Sequence, residues 1–212
     1  MRAFLSYQTD DRHVAAEVRT FLDDIAVPAF MAHDDINVSH EWQDVILSEL
    51  AQADIFFAIL SAHYITSQYC LQESGIAVFR NAMTIIPLSI DGTTPPGFMA
   101  HIQSRLVTPG NISRAVLFAG IAKYDRAFAI NCMINKLGTS GSWDAASGNL
   151  ANLKPYLTDA SNEVIREVLH AAATNPEIAH SFGCRETLSE LLETHGAVID
   201  DHDRNYLENV FN

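Results

Sequence analysis

The run DIFFAIL at 54–60 carries no polar side chain after its first residue, so a strand made from it must be covered on both faces. TIIPLSI at 84–90 is a second run of the same kind, and shorter apolar runs, AFLSY at 3–7 and AFMA at 29–32, come before them. Amphipathic segments lie between the runs. Val14, Val18, Phe21 and Leu22 keep the spacing of a helix that starts at the capping pair Asp10-Asp11 and reaches about Ile25. Residues 42–53 carry Val45, Ile46, Glu49 and Leu50 on a second helix. Strand and helix alternate in units of roughly thirty residues, which predicts an α/β fold: a parallel sheet with helices on both faces. Such sheets bind ligands beyond the carboxyl ends of their strands. Here those ends are SYQTDD, AHDDINVSH, SAHYITSQY and DGTTPPG.

After residue 110 the pattern changes. Residues 112–137 read as one long helix, GTSGS at 138–142 as a linker, and four further helices are expected over 143–156, 159–173, 185–195 and 203–211. Turns are expected at Asn175-Pro176 and Gly196. The expected organisation is an α/β domain over 1–137, a linker over 138–142 and a helical domain over 143–212.

Charge excludes whole classes of partner. With 26 acidic and 13 basic side chains the net charge is −13, which disfavours both a phosphate backbone and an anionic lipid surface. No nucleic acid and no membrane partner is therefore expected. Three cysteines, without CxxC or zinc-ligand spacing, are expected to be free thiols in a reducing compartment. There is no signal-peptide core and no run of about 18 apolar residues, so a cytoplasmic protein is expected. Nine histidines include no HExxH, and His33 beside Asp34-Asp35 has no second histidine a turn away, so no metal site is expected. GxGxxG, GxxxxGK and GxSxG are all missing.

Glu73 sits in the helix that follows the third strand, with Ser67 as its N-cap. Leu71, Gly75, Val78 and Ala82 recur at helical spacing and are expected to form the buried stripe. Glu73 then lies about 200° from Leu71, turned away from the core.

The order of segments resembles the Toll/interleukin-1 receptor (TIR) domain. FLSY at 4–7, AHDDI at 32–36 followed by Trp42, LS at 60–61, SQYCLQESG at 67–75 and IIPLSIDG at 85–92 stand in the family's order and spacing, over about residues 1–108. AHDDI and PPGFMAHIQ are most similar to the TIR component of Thoeris-type anti-phage systems. The resemblance implies a flavodoxin-like five-stranded sheet with 33–41 as the BB loop. It also implies cleavage of NAD+ at the nicotinamide–ribose bond, with NAD+ as substrate and no cofactor. The family's WxxxE pattern falls on Tyr69 to Glu73, with tyrosine in place of tryptophan, and makes Glu73 the catalytic residue. Tyr7, Gln8, Asp35, Trp42 and Tyr69 match positions that line the family's substrate pocket. Partners implied are further copies of the chain, through TIR–TIR contacts, and a separate effector reached through a diffusible cyclic or conjugated ADP-ribose. The alternatives are a non-enzymatic TIR scaffold and a hydrolase that depletes NAD+.

Overall fold

The structure, a computed structural model, describes residues 1–31 and 42–211. It divides into two compact units, Met1–Tyr124 and Asp125–Asn212.

The first unit runs β1 (Ala3–Ser6), α1 (Arg12–Asp24), β2 (Ala29–Met31), α2 (Trp42–Gln52), β3 (Ile55–Leu60), α3 (Gln68–Phe79), β4 (Thr84–Ser89), β5 (Arg105–Leu106) and α4 (Arg114–Tyr124). Its five strands pair in parallel in the order β2-β1-β3-β4-β5, the flavodoxin-like sheet expected from the sequence. The chain leaves β1 for β2 on one side and then crosses to β3 on the other. That makes the β1/β3 boundary the switch point where a crevice opens in sheets of this kind.

Register decides which side chains face that crevice. Ser6 pairs with Ala58, and Phe4 lies level with both Phe30 and Phe56. Side chains alternate along a strand, so Phe4 and Ser6 share a face with Phe56, Ala58 and Leu60. The Phe4 ring stacks on Phe56 at 5.7 Å and meets Phe30 at 5.4 Å. Ile46 and Leu50 of α2 and Cys70 and Ala77 of α3 close over this face. At its lower end the Arg80 guanidinium donates to the carbonyls of Leu50 and Ala53, the latter at 2.7 Å, and so satisfies orphan groups at the end of α2. On the other side of the sheet Phe21 of α1 meets Phe118 of α4 edge-on at 5.0 Å. A Cβ at Gly120 would stand 2.7 Å from Ile86 Cδ1, so α4 lies close on β4.

The second unit is helical: α5 (Arg126–Gly138), α6 (Trp143–Leu153), α7 (Asn162–Thr174), α8 (Pro176–Ala179), α9 (Phe182–His195) and α10 (Asp201–Phe211). Its core includes Ile130, Leu137, Leu150, Val168, Leu169 and Leu188. Arg126 holds Asp159 through two hydrogen bonds of 3.0 and 2.6 Å.

Three expectations need correction. The helix expected over 112–137 is two helices, because Asp125 takes an extended conformation (φ −142, ψ 98) and its side chain caps α5 at Phe128 N, 2.9 Å away. Residues 138–142, expected as a linker, form a tied turn within the second unit: Asn175 Nδ2 donates to the carbonyls of Gly138 and Ser140 at 2.9 and 3.0 Å. The break expected at Asn175-Pro176 is present: Asn175 is extended, ends α7 and caps the short helix α8. The buried face of α3 is Cys70, Glu73, Ser74 and Ala77, whereas Leu71 is 39% exposed. Small side chains let the helix approach the sheet on that face, and the polar ones find partners beneath it.

Ala32, His33, Asp34, Asp35 and the rest of the expected BB loop lie outside the described residues. Among the described residues no helix is long and apolar enough to cross a membrane. The three cysteines are free thiols.

The cap at Asp125 yields a direct test. Asp125→Ala is expected to lower stability by about 1 kcal/mol and Asp125→Ser to leave it nearly unchanged, read from urea denaturation.

Candidate active site

Ser67 takes an extended conformation and its hydroxyl accepts from Cys70 N, which starts α3 above the carboxyl end of β3. One turn later, Glu73 points down between α3 and β1. The residue is 7% exposed, and Ser6 Oγ donates to Glu73 Oε2 at 2.6 Å. Ser6 is in reach because it lies on the α3 side of β1, at the strand's last residue.

A cavity of about 270 Å3 opens onto this carboxylate. The segment after β1 contributes Tyr7, Gln8 and Thr9, α2 contributes Trp42 and Ile46, and α3 contributes Tyr69 and Cys70. A second cavity of about 240 Å3 shares Trp42, Ile46, Tyr69 and Glu73 and runs on along Leu47, Leu50 and Ile76. Each alone lies below the usual range for ligand sites, about 300–1,000 Å3, and together they fall within it. Trp42 and Tyr69 meet edge-to-face at 4.8 Å and stand at the junction.

Five residues expected at a substrate pocket, Tyr7, Gln8, Trp42, Tyr69 and Glu73, therefore line one cavity. Gln8 has a structural task as well, since its Oε1 accepts from Asp10 N at 2.6 Å and caps the turn into α1. Asp35 lies outside the described residues. The expectation that Glu73 faces away from the core is overturned: the ligand-side cavity reaches it from within.

Sequence reasoning missed the groups beneath Glu73. Tyr64, in the turn after β3, is fully buried, and its hydroxyl lies 3.0 Å from Ser6 Oγ and 2.8 Å from Ser74 Oγ. The period of two along β1 was the one signal that could have found Ser6. Tyr64 follows no periodic pattern.

Burial dominates the electrostatics. It pushes the Glu73 carboxyl up to about 7, with the Ser6 hydrogen bond pulling the other way. Burial also pushes the Cys70 thiol up to about 11 and raises the Tyr64 phenol, so both are neutral at physiological pH. No other acidic or basic side chain lines either cavity among the described residues, and no group of His, Cys, Asp and Glu there could hold a metal ion. What the arrangement offers is one carboxylate, poised near neutrality, under two aromatic rings.

The sequence model of the TIR domain matches residues 3–115, just over half of the chain and nearly the whole first unit. No curated protein matches the chain.

The raised carboxyl carries a sign for stability. The folded state holds its proton up to about 7 and the unfolded chain only to about 4.5, so Glu73 is harmless below pH 4.5, increasingly destabilising from there to about pH 7, and constant in its cost above that. Relative to wild type, Glu73→Gln should therefore gain about 3 kcal/mol between pH 4.5 and pH 8, measured by denaturant titration across that range.

Proposed function

The chain belongs to the TIR-domain family, and on that premise we propose that it cleaves NAD+ at the nicotinamide–ribose bond with Glu73 as the catalytic carboxylate. The observation that carries this reading is a single carboxylate, buried under a cavity at the sheet's switch point and lacking a cationic partner among the residues lining it.

A lone carboxylate suits this bond. Glycosidases with poor leaving groups need a second carboxyl to protonate the departing oxygen. Nicotinamide departs with the bonding pair as a neutral molecule from a pyridinium cation and needs no proton. The remaining demand is to stabilise positive charge as it develops on the ribose, and an ionised Glu73 in a low-dielectric cavity meets it. When water is the acceptor, its proton must go to a base, and a carboxyl titrating near 7 is matched to that step. Trp42 and Tyr69 offer ring faces and edges to flat heterocycles, while Tyr7 and Gln8 border the same space. The junction of the two cavities is where a dinucleotide bent over Glu73 would fit. Asp35 completes our assignment of substrate-binding residues.

Water as acceptor gives ADP-ribose. The adenine ring or a ribose hydroxyl of the same molecule gives a cyclic isomer, and another small molecule gives a conjugate. We favour a cyclic or conjugated product that acts as a signal, because the resemblance to Thoeris-type TIR proteins points to an enzyme that works through a separate effector. TIR domains commonly self-associate, and we propose that copies of this chain assemble through TIR–TIR contacts. Cytoplasmic anti-phage signalling is the setting this reading assigns.

A non-enzymatic scaffold is the second reading, and Tyr69 in place of the family's tryptophan favours it. A scaffold, however, has no use for a carboxylate held in the core at a cost of about 3 kcal/mol when ionised.

Concentrated protein incubated with NAD+ and followed by chromatography with mass detection should release nicotinamide, and the second product's mass separates hydrolysis from cyclisation or conjugation. Glu73→Gln should slow release by about 100-fold or more. For the wild type, kcat/KM should rise about tenfold per pH unit below 7 and level off above it, because the charged form is the active one. Equal turnover by wild type and Glu73→Gln would exclude the assignment.

A further inference from the structure

Below Glu73 the buried hydroxyls form a line. Ser6 Oγ lies 2.6 Å from Glu73 Oε2, Tyr64 OH 3.0 Å from Ser6 Oγ, Ser74 Oγ 2.8 Å from Tyr64 OH, and the Cys70 carbonyl 2.7 Å from Ser74 Oγ. Ser6, Tyr64 and Ser74 are each at most 4% exposed. The line joins the end of β1, the turn after β3 and one face of α3.

Each hydroxyl has one hydrogen, and that fixes the order of donation. An ionised carboxylate can only accept, so Ser6 donates to Glu73. Ser6 then has only its lone pairs for Tyr64, so Tyr64 donates to Ser6. By the same rule Ser74 donates to Tyr64. Three of the four contacts then carry a hydrogen and all three hydroxyls point toward the charge, while the 2.7 Å approach of Ser74 Oγ to the Cys70 carbonyl carries none. When Glu73 is protonated the line can run the other way: Glu73 donates to Ser6, Ser6 to Tyr64, Tyr64 to Ser74, and Ser74 to the Cys70 carbonyl. With the carboxyl proton there are four hydrogens, and that direction fills all four contacts. The proton itself enters and leaves through the cavity; the hydroxyls only rotate.

We propose that Ser6, Tyr64 and Ser74 are positioning residues, a reversible hydroxyl chain that holds the Glu73 carboxylate charged and aimed at the cavity without neutralising it. A lysine or arginine in their place would stabilise the carboxylate more strongly, but would cancel the charge that a cationic substrate and its transition state must meet. Neutral donors leave the full negative charge available. Among the described residues the titratable groups around Glu73 are Tyr64 from the turn, Cys70 and Tyr69 of its own helix, and Tyr7 beyond β1; α2 presents no charged side chain to either cavity. None of these is a cation, so among the described residues the hydroxyl chain is the main support of the charged state. The catalytic meaning of this chain rests on the reading of Glu73 given above, but its existence can be tested without turnover.

The test measures the ionisation midpoint of Glu73 in the full chain, from the pH dependence of stability of each background relative to its Glu73→Gln counterpart, with 13C NMR of the glutamate carboxyls as a second readout. Ser6→Ala removes the donor to the carboxylate and should raise the midpoint by about one unit, since hydrogen bonds to charged groups exceed those to neutral ones. Tyr64→Phe keeps the ring but removes the polarising hydroxyl behind Ser6, and should raise the midpoint by a smaller amount. In the Ser6→Ala background, Tyr64→Phe should add nothing, because the chain is already cut. Where turnover is present, the acid limb of kcat/KM should move with the midpoint. An unmoved midpoint in Ser6→Ala, or a Tyr64→Phe effect that persists undiminished in that background, would overturn the proposal. Midpoints that move as stated in a protein with no NAD+ cleavage would uphold the chain and refute the enzymatic reading instead.

Discussion

Strand β1 lies between two parallel partners, and the constraint this imposes sets the rest of the site. With β2 on one side and β3 on the other, β1 cannot slip by a residue without turning Phe4 away from Phe30 and Phe56 and out of the aromatic core. The same alternation that buries Phe4 puts Ser6 under α3. Ser6 meets Glu73 at 2.6 Å, and this bond joins the sheet to the helix at the floor of the cavity. Core packing and carboxylate position are thus one fact read at two residues of one strand.

The helix had to change its inward face to make that contact. A conventional apolar stripe on α3 would have kept it a side-chain layer farther from the sheet and left Glu73 in water. Cys70, Ser74 and Ala77 are small enough for close approach, and the hydroxyl of Ser74 finds Tyr64 below. The result is a carboxyl that ordinary burial would keep neutral, brought back to about 7 by a hydroxyl that leaves its charge intact. A strongly perturbed titratable group in a cleft is a candidate for chemistry. The adjoining Trp42–Tyr69 pair and the two cavities that share Glu73 give that chemistry a place to hold a flat, extended substrate.

Much of this was legible in the sequence, for physical reasons. DIFFAIL is apolar after Asp54 and reads as a strand covered on both faces, and the strand–helix alternation called for parallel pairing. Tyr7, Gln8, Trp42, Tyr69 and Glu73 were named from their places in the family's motifs and line one cavity. The orientation of α3 was not legible because its apolar residues lie all round the helix, from Cys70 and Leu71 to Val78 and Phe79, so spacing alone selected the wrong face. The break at Asp125 was hidden for a related reason: the apolar pattern of 112–137 continues across it, and only the cap geometry ends one helix and starts the next. Strand β5 has only two residues, Arg105 and Leu106, both exposed, and no pattern that short can announce itself. Tyr64 belongs to the site through a hydroxyl reaching under a helix, a contact that no local period encodes.

The central claim is that Glu73 presents an uncancelled negative charge to a cationic ring system. The most direct measurement is the ionisation midpoint of the Glu73 carboxyl with and without a non-cleavable NAD+ analogue that keeps the pyridinium cation. A bound cation should favour the charged form and lower the midpoint from about 7 by about one unit or more. A midpoint that stays put or rises when the cavity is saturated, or an analogue that does not bind at all, would contradict the account.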